Sequence, residues 1–211
     1  MDDSDQVFRL HRIYAAANAV TELDLSKIPA KEIRGNCVMG FIQDFAGTMS
    51  PSEMANAAHS LIQNIASLKD HLRSWASENG QPKTEIDNTF DASAALKILQ
   101  DLFDNDKHSG TSRSGGHSRQ GPRLSDVGRT LRMTTEPRKG ARMVLTLGGG
   151  GVPVVTGSGT SKVIITSEVL DSSGNNIGDF YDVAVEALKA WEESARKFGI
   201  LSPSISHDVS D

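Results

Sequence analysis

The stretch Ser50-Pro51-Ser52-Glu53 constrains this chain more than any other, because it says where a helix must begin. A serine hydroxyl there accepts from the main-chain N–H three residues on, proline's fixed φ suits the first helical position, and the glutamate carboxylate reaches back to the serine N–H. From that start Met54, Ala58, Leu61, Ile65, Leu68, Leu72 and Trp75 recur at steps of three and four, and Asn79-Gly80 supplies a left-handed stop. The spacing predicts one helix of about 28 residues with a single apolar stripe. His59, Gln63, Asp70 and Arg73 fall opposite that stripe, while Asn64 and His71 lie on its flank.

A helix with one apolar face needs elements to cover it, and the chain supplies several. Gln6 to about Val20 carries Val7, Leu10, Ile13, Tyr14, Ala17 and Val20 at helical spacing. After the polar link QPKTEIDNT, a second helix is expected from about Ala92 to Lys107, with Ala95, Leu96, Leu99, Leu102 and Phe103 inward. Asp179 and Asp182 open a last helix striped by Phe180, Ala184, Ala187, Leu188, Trp191, Ala195 and Phe198, which Gly199 ends. Between the turn-prone LSKIPAKEIRG and this set, residues 36–45 favour a short strand.

Residues 109–122, SGTSRSGGHSRQGP, hold no apolar side chain and read as a mobile basic loop. The period then changes: GRTLRMTT, ARMVLTL, VPVVT and SKVIITSEVL are short β-branched segments parted by glycine-rich turns. They predict an antiparallel β-meander over 128–178, and residues 200–211 a frayed tail. The expected fold class is therefore α+β in a single domain, a helical bundle from 1–108 and 179–199 with the meander inserted before the C-terminal helix. At 211 residues the chain is long enough to bury one sizeable core.

Several functional classes fall away. The lone Cys37 excludes an intramolecular disulfide framework and a multi-cysteine zinc site. The acidic start MDDSDQ and the lack of any apolar run near about 18 residues argue against a signal peptide or membrane span, so a cytoplasmic location is expected. None of the six histidines has HxH or HExxH spacing, so no metal or other cofactor is expected. The glycine-rich TLGGGGVPVVTGSGTSK precedes a strand rather than a helix, and Lys162 follows Ser161 rather than glycine, which is wrong for a phosphate loop. No G-x-S-x-G elbow occurs.

Charge is uneven. Residues 107–142 hold nine Lys/Arg against two acids, a balance of +7, which leaves 13 basic and 25 acidic residues elsewhere, or −12. Such a segment either seeks an anionic partner such as RNA or is drawn back to the acidic body. Arg113, Arg119, Arg123, Arg129 and Arg132 are the candidate nucleic-acid contacts, although no aromatic residue is interleaved for base stacking.

The second helix ends in Asn105-Asp106-Lys107-His108, and Asp101, Asn105 and His108 share one face of it. One reading makes this a site, with Asn105 as hydrogen-bonding amide, Lys107 as anion contact and His108 as acid or base. His71 or Asp70 of the long helix would support it if the two helices run antiparallel. The other reading is a helix end, where Lys107 and His108 oppose the dipole for about 0.3–1 kcal/mol.

The long helix NAAHSLIQNIASLKDHLRSWA, the helix end DLFDNDKHS, the basic loop, the β segments and the last helix DVAVEALKAWEE resemble a group of bacterial proteins, the sharp motif being the NDKH helix end. Their helices resemble the HEPN superfamily. The resemblance covers about residues 50–198 and implies a helical bundle, with homodimerisation through the helices open to it. It further implies an RNA-associated protein, a weak or inactive ribonuclease of a bacterial toxin or antiphage defence system. His108 matches the family's catalytic histidine and Asn105 a polar residue near it, whereas positions 101–104, where the partner arginine would stand, are Asp, Leu, Phe and Asp. Lys107 is a poor replacement for a forked guanidinium. A non-catalytic interaction or regulatory module and a small-ligand or nucleotide binder are the alternatives.

Overall fold

The computed structural model describes residue 11 and residues 30–34, 39–43, 49–108, 115–135, 142–144, 154–156 and 159–200. The helix expected over Gln6–Val20, apart from His11, lies outside them, as do Cys37 and residues 201–211. The architecture is mixed α+β, with four described helices holding more residues than the strands.

Helix α1, Pro51–Glu78, begins and ends where its sequence says. Ser50 Oγ accepts from Glu53 N at 3.2 Å, and Ser50 N donates to Glu53 Oε2 at 2.7 Å, closing the capping box. At the far end Asn79 N donates to Trp75 O, and Gly80 takes φ +65°. The stripe packs inward as expected, with Ala58, Ile65 and Leu72 fully buried.

The link QPKTEIDNT is not a link. Most of it belongs to α2, Lys83–Ala92, which buries only Ile86 and Phe90. A single i,i+4 apolar pair is too little to stand out as a stripe, and that is why the sequence hides this helix. Ser93 is extended, and its Oγ accepts from Leu96 N at 3.2 Å, which caps α3, Ala94–His108. The helix expected from about Ala92 to Lys107 is α3, and α2 is an additional helix before it. Helix α4, Phe180–Lys197, is capped by Asp179, whose Oδ1 accepts from Tyr181 N at 2.8 Å.

Helix α4 is fixed across the bundle. Buried Trp191 donates from Nε1 to Ile65 O at 3.2 Å, and Trp75 and Phe198 meet with ring centroids 5.7 Å apart. An ion pair between Arg73 and Asp87 ties α1 to α2. The core lies between the four helices and takes Ile165 and Val169 from two of the strands.

The turn-prone LSKIPAKEIRG also holds structure: β1, Ala30–Arg34, pairs antiparallel with β2, Met39–Gln43, the latter inside the strand expected at 36–45. The expected meander is antiparallel but differently connected. Strand β4, Gly128–Thr135, pairs with β7, Gly159–Thr166, and β5, Arg142–Val144, pairs with β6, Val154–Thr156, inside them. Only β5 and β6 of these four pair as neighbours in sequence, and β4 skips to β7, so the strands form a hairpin within a hairpin. Strand propensity marks a segment as β without naming its partner, so the sequence could not tell the two connections apart.

At the base of this ribbon β3, Arg123–Leu124, pairs with β8, Glu168–Leu170, which pairs with β9, Asn176–Asp179. The ladder is interrupted at two serines, where Ser167 Oγ donates to Ser125 O at 3.1 Å and Glu168 N donates to Ser125 Oγ at 3.0 Å. Phe180 N donates to Ser167 O at 2.9 Å, which sets the start of α4 against the sheet.

Candidate functional site

Residues 115–122, which the sequence assigns to the mobile basic loop, form a folded strap over α3. Its anchor is Asp101, only 3% exposed. One carboxylate oxygen accepts from His117 N at 2.7 Å; the other accepts from Ser118 N at 2.7 Å and from Ser118 Oγ at 2.5 Å. Successive main-chain N–H groups in a tight turn make a cradle for an anion, and here the chain's own carboxylate fills it. Gly116 makes the approach possible: its φ is +72°, and a Cβ there would stand 2.2 Å from Asp101 Oδ1. His117 also meets the edge of Phe90 at 5.2 Å between centroids, while Lys69 Nζ lies 3.5 Å over that ring.

One helical turn further, Asn105 Nδ2 donates to Pro122 O at 3.0 Å. Asp101 and Asn105 therefore do share a face, and that face carries the basic segment. Lys107 and His108 close α3, with their side chains outside the described ones.

Helices α1 and α3 run antiparallel, since Lys69 lies near Phe90 just before α3 while His59 meets Asp106 near its end. The register, however, brings His59 and not His71 or Asp70 to the end of α3. His59 Nδ1 stands 3.6 Å from Asp106 Oδ1, and His71 lies about 18 Å further along the helix axis at 1.5 Å per residue. Asp70 is exposed and His71 half-buried on that distant part.

Around His59 and Asp106 opens a cleft of about 880 Å³. The first three turns of α1 form one side, through Met54, Ala55, His59 and Ile62. Leu102, Asn105 and Asp106 of α3 form the second, and residues 122–127 the third, with Arg123, Leu124, Asp126 and Val127. The strap's anchors thus also hold one wall of the cleft.

The candidate arginines are scattered. Arg119 is exposed in the strap at φ +62°, and Arg123 is exposed at the cleft. Arg129 is half-buried against Met49 Sδ, and burial pulls its guanidinium below its ordinary value. Arg113 and the side chain of Arg132 lie outside the described parts.

Asp101, Asp104 and His117 each bring one potential metal-ligand atom to within 4.8 Å of the others, a grouping that histidine spacing does not reveal. Both oxygens of Asp101 already serve the strap. His59 was equally hidden, because only the register of two helices sets it beside Asp106. Among the described residues no helix is long and apolar enough to cross a membrane. Comparison with protein-family models, with curated proteins and with solved structures finds no match to this chain.

Proposed function

We propose that the protein binds a small ligand of nucleotide size in the cleft between α1, α3 and residues 122–127. The observation that carries this reading is the composition of the cleft. Its volume falls in the range of about 300–1,000 Å³ typical of ligand pockets, and apolar Met54, Ile62, Leu102, Leu124 and Val127 alternate with a few convergent polar groups, His59, Asn105, Asp106 and Arg123. Apolar walls supply affinity and the polar groups orientation. Half-buried Ala55 lines the cleft, so Ala55→Phe fills it without disturbing the core. Titration calorimetry against mononucleotides and small aromatic acids should find a ligand for the wild type and none for the variant. No binding in the wild type, or equal binding in Ala55→Phe, removes this reading.

A second reading, association with RNA, is favoured by the exposed Arg119 and Arg123 on the strap side of the cleft and by the HEPN-like pattern. Phosphate contacts are strongest at low salt, so single-stranded RNA should be retarded there, and less so by Arg119→Glu/Arg123→Glu. Absence of retardation at low salt removes it.

A further inference from the structure

We infer that His59 is a proton acceptor in the cleft through its Nε2, and that Asp106 is the residue that positions it. This rests on the cleft being the binding site. His59 belongs to α1 and Asp106 to α3, so their approach to 3.6 Å is made by helix packing and not by local sequence. Both side chains keep access to solvent, at 42% and 59% exposed, and both line the cleft.

A neutral imidazole carries one N–H, and the partner of one nitrogen decides the state of the other. The carboxylate lies on the Nδ1 side and takes only a donor. At 3.6 Å the pair is outside hydrogen-bond length, and the carboxylate's charge favours the tautomer with the proton on Nδ1, which leaves Nε2 as the ring's acceptor. When a ligand hydroxyl or amide gives up its proton, the O–H or N–H bond breaks and an Nε2–H bond forms. The ligand keeps the electron pair. The positive charge then created on the ring sits beside the Asp106 carboxylate, which holds the ring in place and opposes that charge. The ligand class implied is one presenting an ionisable hydroxyl or amide at the α1–α3 side of the cleft. The sequence motif at the end of α3 thus contributes through Asp106.

The test reads the tautomer directly. In ¹⁵N-labelled full-length protein, nitrogen–proton correlation spectra at a pH where the ring is neutral assign His59 by its loss in His59→Gln. The wild type should show Nδ1–H as the major form, and Asp106→Asn should shift the population toward Nε2–H, the form an unpartnered histidine side chain prefers in water. A wild type already in the Nε2–H form overturns the proton-acceptor role. A wild type in the Nδ1–H form that Asp106→Asn leaves unchanged overturns the positioning role. Neither result depends on a ligand, so failure here is distinct from a cleft that binds nothing in the Ala55→Phe comparison.

Discussion

The Asp101 carboxylate, buried in the middle of α3, accepts the main-chain N–H of His117 at 2.7 Å across a sequence separation of 16 residues. That bond and its two neighbours from Ser118 convert a glycine- and serine-rich segment into part of the fold.

Removing the carboxylate leaves the strap's N–H groups without their acceptor. Hydrogen bonds to charged groups are worth about 1.5–3 kcal/mol each, and partial replacement by water reduces the net loss, so Asp101→Ala should cost about 2–3 kcal/mol in denaturant unfolding. Hydrogen exchange at His117 and Ser118 should accelerate more than at core amides such as Leu99. Unchanged exchange at these two amides would show that the strap does not depend on Asp101.

Two glycines separate backbone freedom from close approach. Gly80 has φ +65° with nothing within 4 Å of an added Cβ, so Gly80→Ala should cost about 1 kcal/mol for the left-handed conformation alone. Gly116 has a similar φ but meets Asp101, so Gly116→Ala must also displace the carboxylate. Its cost should be at least twice as large when the two variants are melted side by side.

The capping box gives a pH dependence with a definite sign. The Ser50 N–H, followed by the Ser50 hydroxyl, holds the Glu53 carboxyl below the ordinary carboxylate range. A group whose folded value is lowered contributes stability that is present above its unfolded value and lost as pH falls through the folded one. The stability difference between wild type and Glu53→Gln should therefore be widest near about pH 7 and close toward about pH 3 in chemical denaturation. A difference that widens on acidification contradicts this.

Glu192 is buried in α4, and its Oε1 has no hydrogen-bond partner among the described residues, while Oε2 lies 3.6 Å from Arg196. Replacing a buried, incompletely satisfied charge with an apolar side chain of similar length is often neutral or stabilising. Glu192→Met should raise the melting temperature, and Glu192→Gln should not.

Legibility in the sequence followed the range of the interaction. Helix α1 was readable to its last turn because its cap, stripe and stop are all local. The shared face of Asp101 and Asn105 was readable from helical geometry, but what it faces was not, since the strap's lack of apolar residues concealed a fold held by main-chain N–H groups. Helix α2 escaped because two buried residues do not make a pattern. His59 stood on a polar face with nothing to distinguish it from Gln63, and only the packing of α1 on α3 selected it. His71 and Asp70, expected as support, stand on the same helix as His59 but about three turns further from the end of α3.

The nested ribbon has a practical consequence. The pairs Thr135↔Gly159 and Val144↔Val154 each bring the chain back on itself, so a guest sequence placed between 144 and 154 enters a circuit whose two ends are already joined. Each doubling of such a closed loop costs only about 0.6 kcal/mol in entropy. A reporter domain inserted there would hang from β5 and β6, no described residue of which lines the cleft, making the ribbon a handle by which the protein can be labelled or immobilised.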